Sequence, residues 1–200
     1  MAQALAKARK RLTHDERHEH LLDVAAKLML EHGFEALTME AVKERAGVSR
    51  GLTYTHFVNA EELVFALYER EMTELERRLD AMATGGSFDE RVRLATRTYF
   101  DFVADRGGLL ATLQLKLPER WFKPSVRERL SRLLRHWSDE VEREFKVSPV
   151  VARTLARSAL AASEMLAAAL RSKHLTRRDA ERLSSEFVLG GLRRAAGHHS

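Results

Sequence analysis

Residues 38–57 read TMEAVKERAGVSRGLTYTHF, and their spacing decides the fold of the first part of the chain. Thr38 can cap a short helix whose apolar face is Ala41, Val42 and Ala46. Ala46-Gly47-Val48 then makes a tight turn, and Ser49 caps a second short helix ending near His56. That pattern is a helix-turn-helix. A protein that reads duplex DNA needs a short helix that fits a major groove about 12 Å wide, polar outside and apolar where it is held. About eight residues at roughly 1.5 Å each supply that length. Arg50, Tyr54, Thr55 and His56 offer polar side chains to phosphates and base edges, Val48 and Phe57 bracket the packed side, and Gly51 leaves room for a phosphate or groove wall. With Thr38 and Ser49 at the two helix starts, these residues form the candidate contact set. The plainer alternative is a simple helix connection in which Tyr54 and His56 are ordinary surface residues.

Working outward, the 200 residues carry 34 Lys and Arg against 29 Asp and Glu, a formal charge of +5, and 44% are apolar, enough for a core in one or two domains. The lack of cysteine excludes a disulfide scaffold, cysteine-ligated zinc and thiol catalysis, and agrees with a reducing compartment. Few Gly and Pro amid plentiful Ala, Leu, Glu and Arg predict helices almost throughout, an all-α fold. The longest nearly uncharged apolar stretch, Ser158 to Leu170, contains Glu164 and falls short of the roughly 20 apolar residues that span a bilayer. Lys7, Arg9, Lys10 and Arg11 have no apolar run behind them, so no signal peptide is read. A cytoplasmic chain starting at or near Met1 is expected.

Helix start signals recur along the chain. Thr13 with Glu16, Asn59 with Glu62, Ser87 with Glu90 and Ser125 with Glu128 fit capping boxes; Ser148 before Pro149, and Thr176 with Asp179, add two further starts. Gly33, Gly47, Gly85-Gly86, Gly107-Gly108 and Gly197 supply stops. Periodicity between these marks predicts helices over about 14–32, 38–45, 49–56, 60–83, 87–105, 108–117, 125–146, 149–172 and 177–196. The organisation expected is a basic flexible arm over 1–13, a helix-turn-helix domain over 14–58 and a second domain over 59–200. Positive side chains on a flexible arm can displace counterions from DNA or enter its minor groove, so Lys10 and Arg11 join the contact set, with a solubilising tail as the alternative.

Residues 33–63, GFEALTMEAVKERAGVSRGLTYTHFVNAEEL, resemble the DNA-binding domain of the tetracycline-repressor-like (TetR) family. The resemblance rests on a helix ending in Gly33-Phe34, Thr38 opening the next, Ala46-Gly47-Val48-Ser49, the Tyr54-x-His56-Phe57 signature, and Glu61-Glu62-Leu63 opening a long fourth helix. It covers about residues 14 to 70. It implies an N-terminal three-helix DNA-binding domain followed by a helical ligand-binding and dimerisation domain. It further implies a homodimeric transcriptional regulator, usually a repressor, that binds a palindromic operator in double-stranded DNA and is released by a small-molecule effector. Neither a cofactor nor a membrane partner is implied. Three positions depart from the family pattern. Leu52-Thr53 is in inverted order, which puts a hydroxyl where an apolar core contact is expected; Ala60 replaces a phosphate-touching Lys; and Met39 stands where a polar residue is common.

Helix 60–83 places Leu63, Leu67, Tyr68, Met72, Leu75 and Leu79 on one side, and at about 35 Å would act as a rod coupling the two domains. Phe65, Met72, Phe100, Phe102, Leu113, Leu117, Trp121, Phe122, Trp137 and Met165 are the pool from which an apolar effector pocket would be lined, plain core being the alternative for each. Residues 117–124, LPERWFKP, set an aromatic pair between two prolines, either a gate or a packed loop. Helix 149–172 is apolar nearly all round and must be covered on more than one side. With helix 177–196 it would build an intersubunit four-helix bundle through Leu155, Ala159, Ala162, Leu166, Leu183, Phe187, Gly190 and Gly191. Such a two-fold dimer sets its recognition helices about 34 Å apart, one turn of DNA, or somewhat further. Glu164, a carboxylate among alanines, either pairs with Arg157 or Arg171 or faces the effector cavity.

His14 and His18 lie four apart on a helix, a spacing that can hold a metal. The intervening acid is out of place for an H-E-x-x-H site and the neighbours are charged, so a solvated face is the reading and no metal is assigned. Asp139, Glu140, Glu142 and Glu144 read as another exposed face. No glycine-rich phosphate loop follows a strand, and no Ser, His and acid set is persuasive, so no catalytic residue and no enzyme activity is assigned. The second hypothesis is a dimeric small-molecule-binding protein of the same fold without sequence-specific DNA binding, suggested by Thr53 and Ala60.

Overall fold

Cap, amphipathic run and stop alternate along the computed structural model, which describes residues 12–80, 85–106, 108–116 and 124–197. The helices are α1 (His14–His32), α2 (Met39–Ala46), α3 (Arg50–His56), α4 (Ala60–Asp80), α5 (Phe88–Arg106), α6 (Leu109–Lys116), α7 (Pro124–Phe145), α8 (Pro149–Arg171) and α9 (Arg177–Ala196). A 3-10 turn at Phe34–Ala36, which periodicity did not foresee, links α1 to α2. No strand occurs among the described residues, and no helix there is long and apolar enough to cross a membrane. Residues up to Leu67 form one compact unit and those from Tyr68 a second, the division falling within α4.

In the first unit, Thr13 Oγ1 accepts from Glu16 N at 3.2 Å while Thr13 N donates to Glu16 Oε2 at 2.8 Å, so two free amides are satisfied reciprocally. α1 then buries Leu21, Leu22, Val24, Ala25, Leu28 and Met29 along one stripe, and α2 buries Met39, Val42 and Ala46. Met39 is thus a core anchor, which explains an apolar residue at that position. Asn59 Oδ1 caps Glu62 N at 2.8 Å, but Glu62 reaches back to Val58 N at 2.6 Å rather than to its own cap residue.

In the second unit α8 packs against α7 and α9, and α5 against α9. Phe88, Val92, Val141, Val147, Ala152, Val188, Leu189, Leu192 and Ala196 form one buried cluster; Phe100, Val103, Ala167 and Ala180 form another. Each large apolar side chain so buried stabilises by about 1.5–3 kcal/mol before entropy is counted. Ser87, Ser148 and Thr176 cap α5, α8 and α9 through the amides three residues on.

Several expectations are corrected. Ser125 does not precede α7, because the helix already begins at Pro124. Gly197 has φ −64°, a right-handed conformation open to any residue, so it is not a left-handed stop. Glu140 is not on an exposed face: it is buried and held by Arg91 and Arg143, because its position on α7 follows the core-facing Trp137 by three residues. Glu71 on α4, also buried, lies 3.2 Å from Arg70 and 3.5 Å from Arg106. Lys10 and Arg11, the end of helix 60–83 beyond Asp80, and Leu117, Trp121 and Phe122 with the gate they would form, lie outside the described residues.

Gly108 has φ +76°, and a Cβ there would overlap the Arg171 side chain at Cδ. Gly108→Ala is expected to cost roughly 1–3 kcal/mol through backbone strain and displacement of that arginine. A thermal melt checks this; an unchanged Tm would show that the fold does not need glycine there.

Candidate nucleic-acid interface and effector cavity

Seven residues make a poor helix alone, so α3 is held at its ends and along one side. Gly47, at φ 64° and ψ 39°, takes the left-handed conformation that lets its own N–H donate back to Glu44 O and Val48 N–H to Lys43 O, which closes α2. Ser49 Oγ accepts from Leu52 N at 3.2 Å and opens α3; Thr38 Oγ1 accepts from Ala41 N at 3.1 Å and opens α2. On the held side Thr53 and Phe57 are buried. On the open side Arg50, Gly51, Tyr54 and Thr55 are exposed, Tyr54 by 42%. The Arg50 guanidinium lies 5.4 Å from the centre of the Tyr54 ring, a cation–π pair that pre-positions both groups, while Thr55 Oγ1 donates to Gly51 O at 2.9 Å.

His56 stands apart from that open face. Half-buried, its ring lies 4.3 Å from His14 and 5.9 Å from His18, and His18 in turn lies 4.7 Å from the Phe57 ring. The two imidazoles that sequence spacing put on a solvated turn therefore meet a third from α3. Among the described residues no three His, Cys, Asp or Glu side chains are placed to hold a metal ion. His56 Nδ1 is buried with no hydrogen-bond partner. Burial, followed by His14, His18 and Arg17, pushes the His56 pKa below its ordinary value.

In the second unit a cavity of about 390 Å³ opens among α4, α5, α7, α8 and α9. Of the sequence candidates, Met72, Trp137 and Glu164 line it, and so do Leu75 and Leu79 from the apolar stripe of α4, with Thr96, Tyr99 and Leu160, which the sequence did not single out. Phe100, Phe102 and Leu113 are buried without lining it, Met165 is 73% exposed, and Phe65 belongs to the first unit. Glu164 makes no ion pair with Arg157 or Arg171; burial raises its carboxyl pKa, against Arg171. Burial and the Glu164 charge push the Tyr99 hydroxyl up to about 12. Of the interface candidates, Leu155, Ala159 and Leu166 pack partly into their own chain's clusters, Ala162 and Leu183 are half-buried, and Gly190, Gly191 and Phe187 are exposed, Phe187 by 67%.

Residues 21–67 match the family model described as bacterial regulatory proteins, tetR family. That stretch is a tetR-family domain. It is similar to the HTH-type transcriptional activator FasR of Mycolicibacterium smegmatis, 34% identical over 94 residues, 46% of this chain and 43% of that one. The chain spans about half the length of the curated relatives it matches. Among solved structures, a TetR-like regulator from Rhodococcus sp. RHA1 superposes with TM-score 0.76 at 22% identity, covering 91% of this chain and 98% of that one. The fatty acid degradation regulator FadR from Bacillus halodurans does so with TM-score 0.73 at 16% identity, covering 92% and 99%. These likenesses show the tetR-family fold. Against the family pattern, the inverted Leu52-Thr53 is accommodated locally: the buried Thr53 hydroxyl donates to Ser49 O at 3.3 Å, so no polar group is stranded.

The His56 environment sets a pH dependence for this tetR-family head. Folding makes His56 harder to protonate, so the unfolded chain takes the proton first as pH falls below about 6.5. Stability from this group is complete above that pH and is lost as pH falls toward the lower folded pKa. Chemical denaturation at pH 7.5 and 5.5 should show a loss at the lower pH that His56→Gln reduces; equal losses in the two proteins would refute the assignment.

Proposed function

We propose that this chain is a ligand-responsive transcriptional regulator that binds a palindromic site in duplex DNA as a homodimer and is released by a small, largely apolar effector. The observation that carries the reading is α3 itself, capped at its start, buried on the Thr53 and Phe57 side and offering Arg50, Gly51, Tyr54 and Thr55 to solvent. In this reading residues 1–13 are a DNA-touching arm, 14–58 the reading head and 59–200 the effector and dimer domain. A dimer through α8 and α9 is supported by exposed Phe187 and Met165, and by Gly190 and Gly191, where an added Cβ meets nothing within 4 Å in this chain. Those two glycines weaken α9 with no gain inside one protomer, a cost that close approach of a second copy explains. The cavity supports an effector that is mostly hydrocarbon, and fatty acid degradation is what one structural neighbour is said to regulate.

Selection from a pool of genomic duplex fragments at moderate salt should enrich a palindrome. Salt-labile, nonselective retention with ligand affinity intact would support instead a binding protein that kept the fold without operator recognition. Arg50→Ala should weaken binding to the selected site by about 1–3 kcal/mol. Gly51→Ala should raise stability by roughly 0.5–1 kcal/mol, since nothing lies within 4 Å of the new methyl, while lowering DNA affinity because the methyl faces the groove wall. Unchanged affinity would move Gly51 away from the DNA. Phe187→Glu should turn the dimer into monomers in sedimentation velocity and abolish cooperative binding; a persistent dimer would place the interface elsewhere.

A further inference from the structure

The apolar cavity has a polar neighbour in the same unit. A second cavity, of about 600 Å³, shares Leu79, Ala95, Leu133 and Trp137 with the first, so the two meet along one wall. Its lining holds Arg91, Arg129, Arg132 and Arg143 against the carboxylates of Glu76, Asp80 and Glu140, so the arginines outnumber the acids by one. Arg129 is engaged by Glu69 and Glu76, and Arg143 by Glu140. Arg132 and His136 are different: one turn apart on α7 and exposed, they have no ion-pair or hydrogen-bond partner among the described residues. Arg91 spends two nitrogens on Gly86 O and Glu140, yet keeps its Nε buried with no acceptor. A buried donor left unpaired marks a place where an acceptor belongs. α7 thus turns Leu133, Trp137 and Val141 to the oily chamber and Arg132 and His136 to its neighbour.

We propose that the two cavities form one site for an anionic amphiphile, its hydrocarbon chain among Met72, Leu75 and Trp137 and its carboxylate or phosphate head beside Arg132, His136 and Arg91. This rests on the effector reading above and adds the chemistry of the head. An apolar chamber alone accepts a chain in either direction; cations at one mouth fix the direction and select charge.

Calorimetric titration of the full chain with dodecanoate, dodecyl phosphate and dodecanol tests it, since the three share a chain and differ in the head. At least one anion should bind about tenfold tighter than dodecanol or better, as a charge-assisted hydrogen bond allows. The tighter of the two anions names the head. Arg132→Glu should bring both anions down to the affinity of dodecanol. Dodecanol binding as tightly as both anions, or an anion preference that survives Arg132→Glu, overturns the head-group site and leaves the apolar-effector reading standing. A wild-type chain that binds none of the three overturns both.

Discussion

A seven-residue helix does not persist by itself in water, because nucleation costs more than so few hydrogen bonds return. The exposed face of Arg50, Tyr54 and Thr55 depends on removing that penalty for α3. Ser49 satisfies an amide at its start, the left-handed Gly47 sets its entry, and burial of Thr53 and Phe57 holds its inner side. The open side can then be polar and narrow, as a groove requires, without the helix fraying. The Arg50–Tyr54 contact belongs to the same economy, since two long side chains that steady each other lose less freedom when they meet a ligand.

The second unit solves a different problem, in which charge is carried inward. Glu71 and Glu140 are buried carboxylates, and each is answered by arginines: Arg70 and Arg106 for one, Arg91 and Arg143 for the other. Burial alone raises the Glu140 pKa, but Arg91 and Arg143 together hold it below the usual carboxylate range. Such pairs add little net stability over apolar residues of the same shape, yet removing one partner strands a charge. They favour one arrangement of α4, α5 and α7 over others of similar hydrophobic content, and they leave Arg132 without an ion-pair partner among the described residues.

Helix positions were readable from sequence because their signals are local. A cap and its amide are three residues apart, so Thr13, Ser49, Ser87, Ser148 and Thr176 announce their helices without knowledge of the fold. What escaped was long-range. Arg91 reaches Glu140 across 49 positions of sequence, and His56 meets His14 and His18 from another helix; neither partnership leaves a mark in any window a periodicity argument can use. The cavity was half legible for a related reason. Composition selects Phe100 and Leu113 as readily as Met72 and Trp137, since a residue that closes a core and one that faces a void have the same apolar character. Only packing separates them.

The local closure of the helix starts has a kinetic side. Contacts spanning three residues form on the timescale of helix growth, far sooner than the encounter of distant segments, so the chain begins its search with boundaries already drawn and little backbone freedom left to waste. Long-range contacts come later, among them the pairing of Arg91 with Glu140 across 49 positions of sequence.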